Sequence, residues 1–235
     1  DSLVLAGLAL LIVGLGFKVA AAPFHVWSPD VYQGAPTHVT AFMASVGKAA
    51  AFAAMLRVLV IALPFHRDDW RPVIWVLAIA SLVIGSTLAV VQTDVKRMLA
   101  FSSVSHAGFL LVGVEAAGHR AGEPMSGDGL ESVLVYLLLY SVLVVGTFAT
   151  VTVVSRHAGG STDISAFAGL GRRRPVLTLA LTVLLLAQAG VPLTSGFVAK
   201  WGVIQSAVAE RSYAIAIIAM VSAVRSEEHT SELQS

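Results

Sequence analysis

Residues 3–36 read LVLAGLALLIVGLGFKVAAAPFHVWSPDVYQGAP, an apolar run followed by a proline-rich stretch. The run Leu3–Ala22 contains a single charged residue, Lys18. It is long enough to cross a hydrocarbon core of about 30 Å, which takes about 20 helical residues. The stretch Pro23–Pro36 then holds three prolines and a glycine, residues that interrupt a helix. This part of the chain predicts a membrane-spanning helix that breaks shortly after a lysine.

Apolar runs joined by short polar links continue along the whole chain. Charged residues make up 12% of the 235 residues, whereas soluble domains carry about 25%. Hydrophobic residues make up 57%, and the mean hydropathy is +0.83. We therefore predict an all-α, polytopic transmembrane helix bundle of about seven to eight helices, two of them broken. The expected segments are Leu3–Ala22, Val39–Leu63, Val73–Val91, Met98–Gly118, Val133–Val154, Val176–Leu193, a half-length piece at Thr194–Ala209 and a short one at Tyr213–Val224.

The two ends of the chain predict a fragment of a longer protein. Residues 1–224 are expected to form one membrane domain, which begins at the edge of a helix without an initial Met. Residues 225–235, RSEEHTSELQS, form a polar tail that resembles a translated sequencing-adapter oligonucleotide, with a natural disordered tail as the alternative. We expect truncation at both ends.

Several classes of function are excluded by composition and motif. The chain has no cysteine, and its histidines form neither an HxxxH nor an HExxH pair, so no metal site is expected. No nucleotide-binding glycine motif is present, so no cofactor is expected in this chain. A net charge of +1 without a basic run among aromatics argues against nucleic acid as a partner.

Basic residues in the links predict the orientation in the membrane. Links 94–97 and 155–175 share one side and carry six basic residues, whereas links 64–72 and 119–128 carry three. Cytoplasmic loops are enriched in Lys and Arg, so the first side is expected to be cytoplasmic. The six are Lys96, Arg97, Arg156, Arg172, Arg173 and Arg174, and the three are Arg67, Arg71 and Arg120.

Three of the four lysines lie inside apolar runs: Lys18, Lys48 and Lys200. A lysine at the centre of a spanning helix costs about 2.5–3.5 kcal/mol on insertion scales. Arginine would supply the same charge, but only a desolvated lysine can readily release its proton. Lys18 lies before the first break, and Lys200 ends a second one, AGVPLTSGFVAK (Ala189–Lys200). Broken helices in the two halves of a transporter point to an ion path, although snorkelling to the interface is an alternative for Lys18.

Histidines extend this set, because neutral imidazole relays protons near physiological pH. His25 lies in the first break and His106 lies within Met98–Gly118, and each is predicted to relay protons. A structural, hydrogen-bonded role is the alternative for both, and it is favoured for His38. Glu115 is the only carboxylate within an apolar run, and no carboxylate is well placed to balance Lys18.

Three stretches carry a family resemblance: GLGFKVAAAPFHVWSPDVYQGAPTHVTAF (Gly14–Phe42), VQTDVKRMLAFSSVSHAGFLLVG (Val91–Gly113) and LAQAGVPLTSGFVAKW (Leu186–Trp201). In order and spacing they resemble the antiporter-like membrane subunits of respiratory complex I. The resemblance implies two inverted repeats with a row of lysines. Lys18 and Lys200 would be the broken-helix lysines and Lys48 the connecting one. The partner glutamate would belong to an earlier helix, and His38 departs from the family's usual small residue.

The resemblance also implies a function and a setting. Protons would pass Lys18, Lys48, His106 and Lys200 in a multi-pass subunit of the bacterial inner (plasma) membrane. NADH, FMN, iron–sulfur clusters and quinone would bind to other subunits. The partners would be complex I membrane subunits of the M, L, K and J types, together with the lipid bilayer. A subunit of a multisubunit cation/proton antiporter and a structural subunit with lysines pairing between helices are the alternatives. The choice between H⁺ and Na⁺ stays open.

Overall fold

The first apolar run forms helix α1, which ends one residue after Lys18. The computed structural model describes residues 2–122 and 128–232, and within these residues nine principal helices are joined by short links. Three short helical turns, Pro64–His66, Ile164–Phe167 and Leu170–Arg173, lie in the links. The helices are α1 (Ser2–Val19), α2 (Trp27–Gly34), α3 (Thr37–Ala62), α4 (Arg67–Val90), α5 (Val95–His119), α6 (Asp128–His157), α7 (Pro175–Ala189), α8 (Ser195–Ala209) and α9 (Tyr213–Glu232).

Five of these helices are long and apolar enough to cross a membrane: α1, α3, α4, α5 and α6. Helix α7 and the apolar part of α9, Tyr213–Val224, are shorter. The predicted all-α, polytopic bundle is confirmed. The predicted tail falls on the end of α9, whose backbone is helical to Glu232, and residues 233–235 lie outside the described residues. The tail and the division at residue 224 stay predictions.

Helix α5 is the centre of the bundle, and 94% of the residues in its most apolar 18-residue stretch are buried. It packs closely on α4 because glycines let the two backbones approach. A Cβ on Gly108 would lie 2.8 Å from the backbone nitrogen of Leu82, and one on Gly85 would lie 2.8 Å from Cα of Ser105. Five ionisable or polar side chains therefore lie on a helix without a lipid-facing side: Lys96, Ser103, Ser105, His106 and Glu115.

The contacts at the two ends of α5 place the links on two sides of the bundle, as predicted. At its start, Asp94 caps the helix and pairs with the link after α6, where the backbone nitrogen of Val95 donates to the oxygen of Thr162 at 2.9 Å. At its other end, Arg67 of α4 donates to the backbone oxygen of His119 at 3.2 Å. Residues 123–127 of the second-side link lie outside the described residues.

Both predicted helix breaks are confirmed, and the first contains a helix of its own. Helix α1 ends at Val19 and α7 ends at Ala189, each followed by an irregular turn. The expected break Pro23–Pro36 is shorter than predicted, because residues 27–34 form α2. Pro29 is compatible with this helix since it lies in the first turn, where a backbone N–H has no helical partner.

Candidate functional site

Lys48 lies on the inner face of α3, next to a π-helical stretch, Met43–Gly47. Its neighbours on the same face, Ala44, Ala51 and Phe52, are also buried, as expected for positions three and four residues apart. The side chain is 3% exposed, and its ammonium group donates to the backbone oxygen and to Oγ of Ser103, both at 2.5 Å. Among the described residues, no carboxylate forms an ion pair with Lys48.

Ser103 is a shared partner that the sequence did not reveal. Its hydroxyl accepts from Lys48 and from the Tyr140 hydroxyl at 3.0 Å, and it lies 3.4 Å from the Tyr32 hydroxyl. The three partners come from α3, α6 and α2. Burial raises the pKa of Tyr32 above its ordinary value, so this phenol stays neutral. The feature of the sequence that could have identified Ser103 is its spacing, because Ser103 lies three residues before His106 and therefore on the same face of α5.

His106 lies between the buried lysines Lys48 and Lys200 and interacts electrostatically with both. It is 6% exposed, and its Nδ1 lies 2.7 Å from the Tyr136 hydroxyl. The imidazole packs on the ring of Tyr140, with 4.8 Å between the ring centroids. Tyr136 and Tyr140 are one helical turn apart on α6, so one helix supplies both hydroxyls.

Lys200 lies on α8, and its side chain reaches into the second helix break. Its ammonium group donates to the backbone oxygen of Ala189, the last residue of α7, and lies 5.0 Å from the ring centroid of Phe109. Helix ends leave carbonyl groups without helical partners, and the lysine satisfies one of them. Gly190 makes this possible. Its φ of +91° favours glycine, and a Cβ there would lie 2.8 Å from Cδ of Lys200.

Lys18 and His25 differ from the buried members of the predicted set. Lys18 lies in the last turn of α1, but its side chain is exposed on this chain and forms no hydrogen bond or ion pair with the described residues. The structure does not bring it together with Lys48. His25 is half-buried near Phe101, with 6.1 Å between ring centroids, and burial lowers its pKa. His38 is exposed at the start of α3.

Lys96 is a buried lysine, although the sequence predicts it among the basic residues of the link 94–97. It is 5% exposed because its side chain turns into the protein from the first turn of α5. Its ammonium group donates to the backbone oxygens of Gln33 at 2.9 Å and Ala35 at 2.6 Å, at the end of α2. Next to it, Arg97 pairs with Asp30 at 2.5 Å. Without Lys96, five basic residues remain on the predicted cytoplasmic side.

Metal ligands are not gathered anywhere in the part of the chain that the structure describes. Among the side chains that the structure describes, no group of three or more His, Asp or Glu could hold a metal ion. Lys48 and His106 contact hydroxyl groups, and Lys200 donates to a backbone carbonyl. A hydroxyl donates and accepts hydrogen bonds, so it can pass a proton.

The sequence matches, over residues 1–226, the family described as NADH:quinone oxidoreductase/Mrp antiporter, TM. It is 52% identical over 221 residues to NADH-quinone oxidoreductase subunit N of Rhodococcus opacus (strain B4). This match covers 94% of the chain and 39% of the relative, so the chain spans about two fifths of that protein's length. The predicted resemblance to antiporter-like subunits of complex I is confirmed, and the stretches PDVYQGAP and GFVAK favour the same subunit type.

Solved structures agree with the sequence relatives. A chain of respiratory complex I from Thermus thermophilus with bound Aureothin matches with a TM-score of 0.79 and 35% identity, over 96% of this chain and 48% of that one. A chain of the Mrp complex from Dietzia sp. DQ12-45-1b matches with a TM-score of 0.86 and 26% identity, over 99% of this chain and 42% of that one. The chain belongs to the NADH:quinone oxidoreductase/Mrp antiporter family of multi-pass membrane proteins.

Proposed function

We propose that this chain is part of a proton-translocating membrane subunit of NADH:quinone oxidoreductase, in which buried lysines hold the protons in transit. The observation that carries the proposal is the burial of Lys48, His106 and Lys200 inside the bundle, where Lys48 donates to Ser103 and His106 contacts the Tyr136 hydroxyl. The proposal is also supported by the family to which the chain belongs and by its relatives named subunit N.

The first part of the route is a chain of hydroxyl groups. From Lys48, hydrogen bonds run through Ser103 to the Tyr140 hydroxyl, and a separate bond joins His106 to Tyr136. A hydroxyl donates and accepts at once, so it passes a proton without holding a charge. The rings of Tyr140 and His106 are in contact, so water between their polar atoms would join the two parts.

The second part of the route runs from His106 to Lys200 and relies on electrostatics. Both lysines interact with the imidazole, and like charges repel strongly in a low-dielectric interior. A proton arriving at one member therefore changes the free energy of protonation at the next. Lys18 is proposed as an earlier member, at the end of α1, and His25 as a relay in the first break.

The proposal also includes the partners, the cofactors and the membrane location of the whole protein. In the whole protein, the partners would be membrane subunits of the M, L, K and J types in the inner (plasma) membrane of a bacterium. NADH, FMN, iron–sulfur clusters and quinone would bind to other subunits of the complex. The ion is proposed to be H⁺, because a lysine ammonium group carries protons and has no acceptor with which to bind a metal cation.

The test is Lys48→Met in the intact subunit within the assembled complex, measured as NADH-driven acidification of inverted membrane vesicles. We expect pumping to be largely lost while the complex still assembles, because Met keeps the apolar length of the side chain without the proton. Lys48→Arg should fail as well, since Arg keeps the charge but does not deprotonate. A lysine that only pairs between helices would instead be rescued by Arg, which would favour the structural alternative.

Arg57→Met is the matched control, because it removes a cation from the same helix at an exposed position. We expect pumping close to that of the parent. Unimpaired pumping and quinone reductase activity in Lys48→Met would contradict the proposed role of the lysine.

A subunit of a multisubunit cation/proton antiporter is the second candidate, supported by the likeness to the Mrp complex at 26% identity. The two functions differ in what drives the proton. An antiporter would move protons across vesicles when Na⁺ or K⁺ is added without NADH, whereas the proposed function requires NADH oxidation. Cation-driven proton movement by the full-length protein would therefore favour the second candidate.

A further inference from the structure

A second buried ionisable cluster lies on α5, at the opposite end from Lys96 and outside the lysine row. Its centre is Glu115, nine residues beyond His106 and therefore about 13 Å further along the helix. The Glu115 side chain is 3% exposed and pairs with Arg71 of α4 at 2.9 Å. A carboxylate buried among membrane helices is costly, and such residues commonly serve ion movement.

His119 joins this cluster through a single atom that has three neighbours. Its Nε2 lies 3.2 Å from Oε1 of Glu115, 3.1 Å from Oγ of Ser212, and in contact with the guanidinium of Arg71. Arg only donates hydrogen bonds, and an ionised carboxylate only accepts them. Nε2 accepts from Arg71 when it carries no hydrogen, and it donates to Glu115 when it carries one. A hydrogen placed on Nε2, by protonation or by a change of tautomer, therefore exchanges one partner for the other.

Two further atoms of the cluster have unused hydrogen-bonding capacity. Oε2 of Glu115 and Nε of Arg71 are buried, and within the described residues neither has a hydrogen-bond partner. Buried polar atoms are normally satisfied, and each exception needs a reason. A carboxylate oxygen without a donor can accept a proton, or a hydrogen bond from a water that delivers one.

The surrounding charges decide which ligand fits. Helix α4 contributes Arg67 and Arg71, and α5 contributes Glu115. Arg120 follows directly after α5 and pairs with Glu210, before α9, at 2.7 Å. Two arginines then face one carboxylate, which disfavours a bare metal cation. A proton moving between His119 and Glu115 does not need free ligands around it, as a metal cation would. The His119 side chain is 25% exposed, so it can exchange protons with water.

We infer that Glu115, His119 and Ser212 form a proton-exchange site, held in place by Arg71, through which protons enter or leave the buried row at this end of α5. The inference rests on the proposed function. It adds a carboxylate–imidazole pair to a route otherwise built of lysines, histidines and hydroxyls.

The experiment uses the complete complex in inverted vesicles, with Glu115→Gln and His119→Gln made separately. Both variants keep a polar side chain but cannot titrate in the accessible range. The control is His66→Gln, which lies at the same end, pairs with Asp69 on the surface at 3.0 Å and is outside the cluster. The readout is NADH-driven proton pumping as the pH of each compartment is varied in turn between about 5 and 8, where histidine titrates.

We expect a severalfold loss of pumping in both variants, with normal amounts of assembled complex, and an unchanged rate in the control. His119→Gln should also abolish the dependence of the rate on the pH of one compartment. An equal loss at every pH, or pumping like that of the parent, would overturn the site. If Glu115→Gln fails to assemble, His119→Gln alone decides the outcome.

Lys48→Met measured in parallel separates the two proposals. Loss of pumping in Lys48→Met together with normal pumping in the cluster variants would remove only the exchange site. Normal pumping in all of them would contradict the proposed function itself.

Discussion

At the scale of single residues, one hydroxyl joins three helices to Lys48. Ser103 accepts hydrogen bonds from Lys48 and Tyr140 and lies near Tyr32, so the ammonium group depends on this side chain for one of its two acceptors. A buried polar group that loses a partner is costly because no bulk water replaces it. Ser103 is therefore expected to position Lys48 and to carry its proton onward.

Ser103→Ala should slow proton pumping and lower the thermal stability of the complex. The loss of one acceptor for a buried ammonium corresponds to about 1–3 kcal/mol. The measurements are vesicle acidification and the midpoint temperature of the purified complex. Ser102→Ala is the control, because this neighbouring side chain is only half-buried, and surface-like changes stay within about 0.5 kcal/mol. Equal effects of the two variants would contradict the role of Ser103.

At the scale of helices, the two breaks place backbone polar groups where lysines reach them. Lys200 donates to the last residue of α7, and Lys96 donates to backbone oxygens at the end of α2. Irregular backbone inside a membrane protein persists only where other protein groups or water satisfy it. The broken helices and the buried lysines are therefore parts of one arrangement.

Gly190→Ala should impair pumping by displacing Lys200. The left-handed conformation, with φ of +91°, costs a residue with a Cβ about 1–2 kcal/mol, and the new methyl group would overlap the lysine side chain. Gly14→Ala is the matched control, because it lies within α1 with nothing within 4 Å of its Cβ position. Pumping and thermal midpoint are compared for the two. A Gly190→Ala variant that pumps like the parent would show that Lys200 does not need this turn.

At the scale of the whole molecule, the bundle turns many apolar side chains outward and encloses Lys48, His106 and Lys200. Leu3, Leu10 and Leu138 are 86%, 74% and 67% exposed, whereas Lys48 and Lys200 are 3% and 4% exposed. Large exposed apolar surfaces mark contact with lipid or with other proteins. The links divide onto two sides, at the two ends of α5.

Single cysteines should reveal that division, since the chain has none of its own. His157→Cys lies at the end of α6 on the side rich in basic residues, and Phe65→Cys lies on the other, where Phe65 is 97% exposed. A membrane-impermeant maleimide should label His157→Cys from the cytoplasmic side and Phe65→Cys from the opposite side. The reverse pattern would contradict the orientation, and labelling of both from one side would contradict the topology.

The membrane class, the helix positions, both breaks and the identity of the lysines could be predicted from the amino-acid sequence alone. These follow from local properties: run length, charge within a run, and proline or glycine at a break. Lys48, His106 and Lys200 could be selected because an ionisable group in an apolar run stands out without knowledge of its neighbours.

Which groups those residues contact depends instead on how the helices pack. Ser103, Tyr136 and Tyr140 are ordinary in sequence, and they matter because α5 and α6 pack against α3 and α8. The same packing buries Lys96, leaves Lys18 exposed on this chain and brings Arg71, Glu115 and Ser212 to one histidine. Contacts between distant segments depend on the geometry of packing, which no local pattern of residues encodes.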